Sequence, residues 1–260
     1  MPGRIKSVRE GELGWIIFDH PERRNAISAN MWSELAEAVD VFSQDAAIRV
    51  VIMRGEGDQA FVSGADISQF ENESGSQTQG DLGLNSGEAF RALAGLEKPL
   101  IALIHGFCIG GGMAVSLFAD LRYAADDARF GIPAARLGVG YGLSGVESLA
   151  RIVGLPAAKE ILFTARQYSA VEAEAMGLVN RVFEKSILDS SVAELAHTIS
   201  ANAPLTIRAV KLAAREIERT PTERDLERVE ASIRDCFESE DFPEGVAAFM
   251  EKRSPKFRGL

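Results

Sequence analysis

The sequence predicts an α/β fold with a mostly parallel sheet and a helix-rich C-terminal third. Three observations carry that expectation. Short apolar runs recur along the first half, at Leu13–Asp19, Val50–Met53 and Pro99–Ile104. A stretch with helical apolar spacing separates the first two runs, which makes a strand–helix–strand crossover. From Ala157 onward the spacing is almost wholly helical.

Taken in order, Leu13-Gly14-Trp15-Ile16-Ile17-Phe18-Asp19 reads as a buried strand and His20 to Asn25 as a turn and loop. Met31, Leu35, Ala38, Val39 and Phe42 then mark one face of a helix over 28–42. The strand Val50-Val51-Ile52-Met53 is closed by Gly55 and Gly57. Residues 71–87 are rich in Ser, Gly, Gln and Asn and read as a mobile loop. The strand at 99–104 leads to Gly110-Gly111-Gly112, which opens a helix over about 113–119, and 121–125 read as a further strand. Helices are expected over 157–163, 170–176, 186–202, 205–218, 224–236 and 244–252. The chain divides into an α/β core, 1–195, and a helical C-terminal region, 196–260.

With 260 residues and 46% hydrophobic content, the chain can bury a sizeable core. A net charge of -10 argues against nucleic-acid binding, since phosphate backbones call for a basic face. The cysteines Cys108 and Cys236 read as free thiols in a reducing compartment. Three histidines without paired spacing argue against a zinc site. Met1-Pro2-Gly3-Arg4 lacks the apolar stretch of a signal peptide, and no apolar run reaches the ~20 residues of a membrane span. A cytoplasmic protein is the expectation.

Two glycine-containing turns follow apolar strands: Phe61-Val62-Ser63-Gly64-Ala65-Asp66-Ile67, and His105 through Gly110-Gly111-Gly112 to Ala114. Glycine permits close approach of backbone N–H groups to a ligand. Where a helix starts, its first N–H groups lack partners inside the helix and favour negative charge. Such a turn can hold an oxyanion, or it can serve only as a tight strand-to-helix packing turn.

These turns resemble those of the enoyl-CoA hydratase/isomerase, or crotonase, superfamily. Pro21-Glu22-Arg23-Arg24-Asn25-Ala26-Ile27, Leu162-Phe163-Thr164-Ala165-Arg166, Gly177-Leu178-Val179-Asn180 and Ala248-Phe249-Met250-Glu251-Lys252-Arg253 match in the same order. The resemblance implies a crotonase-like spiral of ββα units with a helical C-terminal trimerisation region, assembled as a homotrimer or dimer of trimers. It implies an acyl-CoA substrate, with coenzyme A as part of that substrate and no permanently bound cofactor. The thioester oxygen would accept hydrogen bonds from the Ala65 and Gly111 amides. CoA contacts would fall to Arg23, Arg24, Ala26, Asp66, Ile67, Phe249 and Lys252, the last two often serving a neighbouring subunit's site. The Asp66 side chain reads as structural.

One departure stands out. The two glutamates that hydratase relatives use on water fall at Ala114 and Ala134, and an acid used by some isomerases falls at Gly142. Water addition needs a base and an acid, and alanine is neither. In the loop that follows, Tyr141 occupies a position that carries a tyrosine in methylmalonyl-CoA decarboxylase, which the loop resembles. Decarboxylation generates the enolate without a base. The expectations are therefore an acyl-CoA lyase with atypical acid–base groups, decarboxylase-like or an unusual hydratase, or else a non-catalytic acyl-CoA-binding protein. His105 and Glu147 read as structural, and Cys108 carries no sign of an activated thiolate.

Overall fold

Residues 3–65 and 86–260 are described by a computed structural model of the chain. Strands β1 (Arg4–Glu10) and β2 (Leu13–Asp19) form an antiparallel hairpin. β1 is a charged, largely exposed edge strand, so only its pairing with β2 defines it. Helix α1 (Ala29–Gln44) follows and buries Met31, Trp32, Leu35, Ala36, Ala38, Val39 and Phe42.

A unit of two strands and a helix then recurs. The units are β3 (Val50–Gly55), β4 (Ala60–Val62) and α2 (Ser86–Gly95); β5 (Leu100–Ile104), β6 (Phe107–Ile109) and α3 (Gly111–Ser116); and β7 (Leu121–Ala125), β8 (Arg129–Gly131) and α4 (Ala134–Leu137). In each unit the first strand joins a six-stranded sheet and the second a four-stranded sheet. With β9 (Tyr168–Ser169) and β10 (Arg181–Phe183), the sheet orders are β1-β2-β3-β5-β7-β10 and β4-β6-β8-β9. β3, β5 and β7 are parallel neighbours, as are β4, β6 and β8. Each unit thus advances one strand in both sheets, which is the expected spiral of ββα units.

The larger sheet is buried on both faces. Leu100, Ala102 and Ile104 point into the main core, while Ile101 and Leu103 join Val50, Ile52 and Tyr123 on the opposite face. That face is covered by α7 (Leu188–Ser200) through Leu188, Val192 and Ala196. Two buried faces explain why these strands read as continuous apolar runs.

Several expected boundaries move. Helix α5 (Leu143–Thr164) begins well before Ala157, and a break at Gly154 (φ 77°, ψ 157°) next to Pro156 hides its first half from any periodicity argument. α3 starts at Gly111 rather than Met113. Ser86 and Gly87, expected in the mobile loop, belong to α2, while 71–85 lie outside the described residues.

α6 (Ala170–Ala175) carries a capping box between Ser169 and Glu172. The C-terminal helices are α8 (Pro204–Glu218), α9 (Leu226–Glu238) and α10 (Asp241–Glu251). Cation-to-carbonyl bonds tie this region to the core, among them Arg215 to the Leu96 oxygen at 2.6 Å and Arg49 to the Phe257 oxygen at 2.6 Å. No helix among the described residues is long and apolar enough to cross a membrane.

Candidate active site

Ala65 follows β4 in an extended segment that pairs with Ile27 as an isolated parallel bridge. The Ile27 N–H donates to the Gly64 oxygen at 2.9 Å. Gly64 C=O and Ala65 N–H belong to one planar trans peptide, so this bond fixes the plane and aims the Ala65 N–H the opposite way. Gly64 has φ +128°, which glycine adopts freely. No acceptor among the described residues takes the Ala65 amide.

The second turn builds a matching donor. Gly110 has φ +53°, and its N–H donates to the Gly131 oxygen at 2.8 Å. The Ala114 N–H donates to the Gly110 oxygen at 3.0 Å. That bond fixes the peptide plane carrying the Gly111 N–H, which also has no acceptor among the described residues. The two donors are neighbours, because a Cβ built on Gly111 would lie 3.5 Å from the Ala65 nitrogen. At Gly112 a Cβ would collide with the Val62 carbonyl. The triple glycine therefore has three separate jobs: a left-handed turn, an open donor, and close helix-to-strand packing.

Two backbone donors held side by side on fixed peptides can stabilise negative charge developing on a carbonyl oxygen. The chemistry available is polarisation of a thioester or ester carbonyl toward its enolate or tetrahedral form.

The segment at 21–27 is seated against this site. Ser63 donates its N–H to the Arg24 oxygen and its hydroxyl to the Arg23 oxygen, both at 3.1 Å. Arg24 and Asn25 both have positive φ, a costly conformation for residues other than glycine. Asn25 holds it: buried, it accepts the His20 N–H and donates to the Glu56 and Ala60 oxygens. The exposed Arg24 guanidinium lies 4.9 Å over the Phe107 ring on β6. Arg23 is exposed too, while Ala26 is buried and its oxygen meets His20 Nδ1 at 3.1 Å. The main chain at Arg23 and Arg24 is thus tied to Ser63, two residues before Ala65, and Ala26 precedes the Ile27 that bridges to Ala65. Asp66 and Ile67 lie outside the described residues. The sequence reading missed Asn25, although it lies inside the quoted motif. A polar residue flanked by Arg24 and Ala26 gave no hint that it would be almost fully enclosed.

Ala114 on α3 and Ala134 at the start of α4 flank the turn, since the Gly110 position packs near Pro133. Neither offers a titratable group. Tyr141, between α4 and α5, is half-buried and packed on the main core, with its ring against Gly145. Burial raises its phenol pKa, so it stays protonated as a donor. Its hydroxyl has no hydrogen-bond partner among the described residues, and no such bond links it to Ala65 or Gly111.

Other candidates are engaged elsewhere. Glu147 is exposed and paired with Arg151 at 3.1 Å. Buried His105 meets Asp189 at 2.9 Å through Nε2. Cys108 is fully enclosed, and desolvation pushes its thiol up to about 12. Among the described residues no group of three or more His, Cys, Asp or Glu could hold a metal ion.

Phe249 and Lys252 belong to the C-terminal region, on α10 and at its end. Phe249 is 83% exposed on α10, and Lys252 caps that helix with φ +55°. Neither makes a hydrogen bond, ion pair or ring contact with Ala65, Gly111 or Tyr141 among the described residues.

The enoyl-CoA hydratase/isomerase family profile matches residues 9–259. A short-chain-enoyl-CoA hydratase from Clostridium acetobutylicum is 34% identical over 94% of each chain. Carnitinyl-CoA dehydratase from Escherichia coli is 34% identical over the full length of both. Among solved structures, an enoyl-CoA hydratase/carnithine racemase from Magnetospirillum magneticum superposes with a TM-score of 0.89, 35% identity, and coverage of 98% of this chain and 96% of that one.

Proposed function

Because the chain belongs to the enoyl-CoA hydratase/isomerase family, we propose that it is an enzyme that binds an acyl-CoA thioester and stabilises its enolate between the Ala65 and Gly111 amides. The observation that carries this reading is the pair of adjacent N–H donors, each on a peptide whose carbonyl is tied down. Such donors act without reorganisation at the moment charge develops. Arg23 and Arg24 supply positive charge for the CoA phosphates, with Ala26 beside them; the family resemblance extends the CoA contacts to Asp66 and Ile67.

The reaction is one that needs no carboxylate base. Loss of carbon dioxide from a 2-carboxyacyl-CoA delivers the enolate directly: the C–C bond breaks and its electron pair moves toward the thioester oxygen. Protonation at carbon completes the turnover, and the neutral Tyr141 phenol is the group assigned to orient the carboxylate or relay that proton. A spectrophotometric screen pairing methylmalonyl-CoA with crotonyl-CoA tests this reading. Faster turnover of the carboxylated thioester is expected; efficient hydration of crotonyl-CoA would refute it.

Ala114 and Ala134 also favour a second reading, an acyl-CoA-binding protein without catalysis. Tight binding with no turnover of either thioester would select it.

The C-terminal helices are assigned to assembly. Phe237, Phe242, Val246, Phe249 and Met250 leave an apolar groove of about 640 Å³ across α8–α10. A homotrimer or dimer of trimers would cover exposed apolar surface of this kind and carry Phe249 and Lys252 to a neighbour's site.

A further inference from the structure

Arg122 on β7 is 7% exposed, yet no carboxylate forms an ion pair with it among the described residues. Buried charges ordinarily pair with an opposite charge. This guanidinium is instead surrounded by main-chain oxygens. Nε donates to Leu178 at 2.7 Å, and Nη1 donates to Ala119 at 2.5 Å and Ser116 at 3.3 Å. Its own backbone is clamped on both sides by Asn180. The Arg122 N–H donates to Asn180 Oδ1 and the Asn180 N–H to the Arg122 oxygen, each at 2.8 Å.

Ser116 ends α3, and Ala119 closes the turn beyond it. Gly111 begins the same helix. A helix of six residues has too few internal bonds to hold its own direction. Its direction is set at its ends. At the first end, Gly110 bonds to Gly131 and Gly112 packs on Val62. At the other end the fixture is Arg122, whose planar fork reaches the Ser116 carbonyl, shared there with the Ala119 N–H, and the Ala119 carbonyl in the turn just beyond. A cation there also opposes the negative end of the helix dipole.

We propose that Arg122 is a positioning residue: by holding the C-terminal end of α3 it sets the direction of the Gly111 amide, and so how strongly a bound thioester carbonyl is polarised. The role rests on the oxyanion-hole reading above. It concerns a residue that touches no substrate and acts through roughly 9 Å of helix.

The test is isotope-edited infrared difference spectroscopy of [1-¹³C]butyryl-CoA bound to the full chain, with affinity measured by calorimetry. In the wild-type protein the thioester carbonyl band should lie below its position in water. Arg122→Lys keeps the charge but loses the fork. It should lose about half of that displacement while affinity changes by less than ~3-fold. Arg122→Gln should lose more. Val192→Ala, in the core on the far face of the larger sheet, controls for general loss of stability and should leave the band unmoved. Should the Arg122 variants not fold, Asn180→Ala decides, since it loosens the Arg122 backbone and should shift the band part of the way back. A variant that melts earlier yet keeps the full wild-type displacement would make Arg122 purely structural and overturn the proposal. Tight butyryl-CoA binding with an undisplaced band in the wild-type protein would remove the oxyanion hole itself, and the role of Arg122 with it.

Discussion

The Ile27 N–H holds the Gly64 carbonyl at 2.9 Å, and that single bond orients the peptide whose other side presents the Ala65 N–H. The loop at 21–27 therefore does more than carry arginines. It is the back support of one of the two candidate donors, and a bond accepted by a peptide carbonyl also strengthens the N–H of the same peptide.

Gly111→Ala separates fold from chemistry. The added methyl would meet nothing closer than 3.5 Å, so the protein should fold with a near-normal melting temperature. Yet the methyl would fill the space before the Ala65 amide. Turnover of the thioester substrate should fall on the order of 10²–10³-fold, the usual effect of losing one such donor. Gly112→Ala should behave oppositely, with a large loss of stability, because its methyl collides with the Val62 carbonyl.

Asn25→Ala should destabilise the protein by about 2 kcal/mol in urea denaturation, since it strips partners from a buried N–H, a buried carbonyl and a partly buried one. Weaker CoA binding should accompany it as the Arg23–Arg24 turn relaxes. Unchanged stability would show that water replaces the lost bonds.

Tyr141→Phe keeps the ring on Gly145 and deletes only the hydroxyl. Steady-state kinetics should show ~10-fold lower turnover, about 1.4 kcal/mol of transition-state stabilisation, with KM nearly unchanged. Full activity in this variant would reduce Tyr141 to a packing residue.

Restoring the carboxylates tests the departure directly. The wild-type protein should hydrate crotonyl-CoA slowly. Ala114→Glu with Ala134→Glu should raise that rate by ~10²-fold or more, the scale of general acid–base catalysis. Ala134 is buried, so some loss of melting temperature is expected alongside.

Cys108 predicts a pH effect. Its pKa is raised from 9.0 in the unfolded chain to about 12 in the fold. The folded state therefore keeps a proton that the unfolded chain releases. This contribution is fully present below pH 9 and is lost as pH rises through about 12. The slope is on the order of 1.4 kcal/mol per pH unit in that window, and Cys108→Ala should flatten it in alkaline denaturation curves. Native alkylation near neutral pH should spare the buried Cys108.

The sequence by itself determined the class of fold and the place of both glycine turns, while the choice of Ala65 and Gly111 as candidate donors came from the resemblance to the family. Strands buried on two faces must be apolar throughout, and a turn from strand to helix with an open amide needs glycine. Both requirements are written in residue types along a short stretch, so they can be read locally. Only the tertiary structure decided the rest. The charged strand β1 exists because β2 pairs with it, and the first half of α5 is concealed by Gly154 and Pro156. Asn25 became the support of a strained turn, and Arg122 the anchor of α3, through carbonyl oxygens that every residue possesses. A carbonyl leaves no mark in a sequence, so contacts of that kind become visible only when the fold brings distant segments of backbone together.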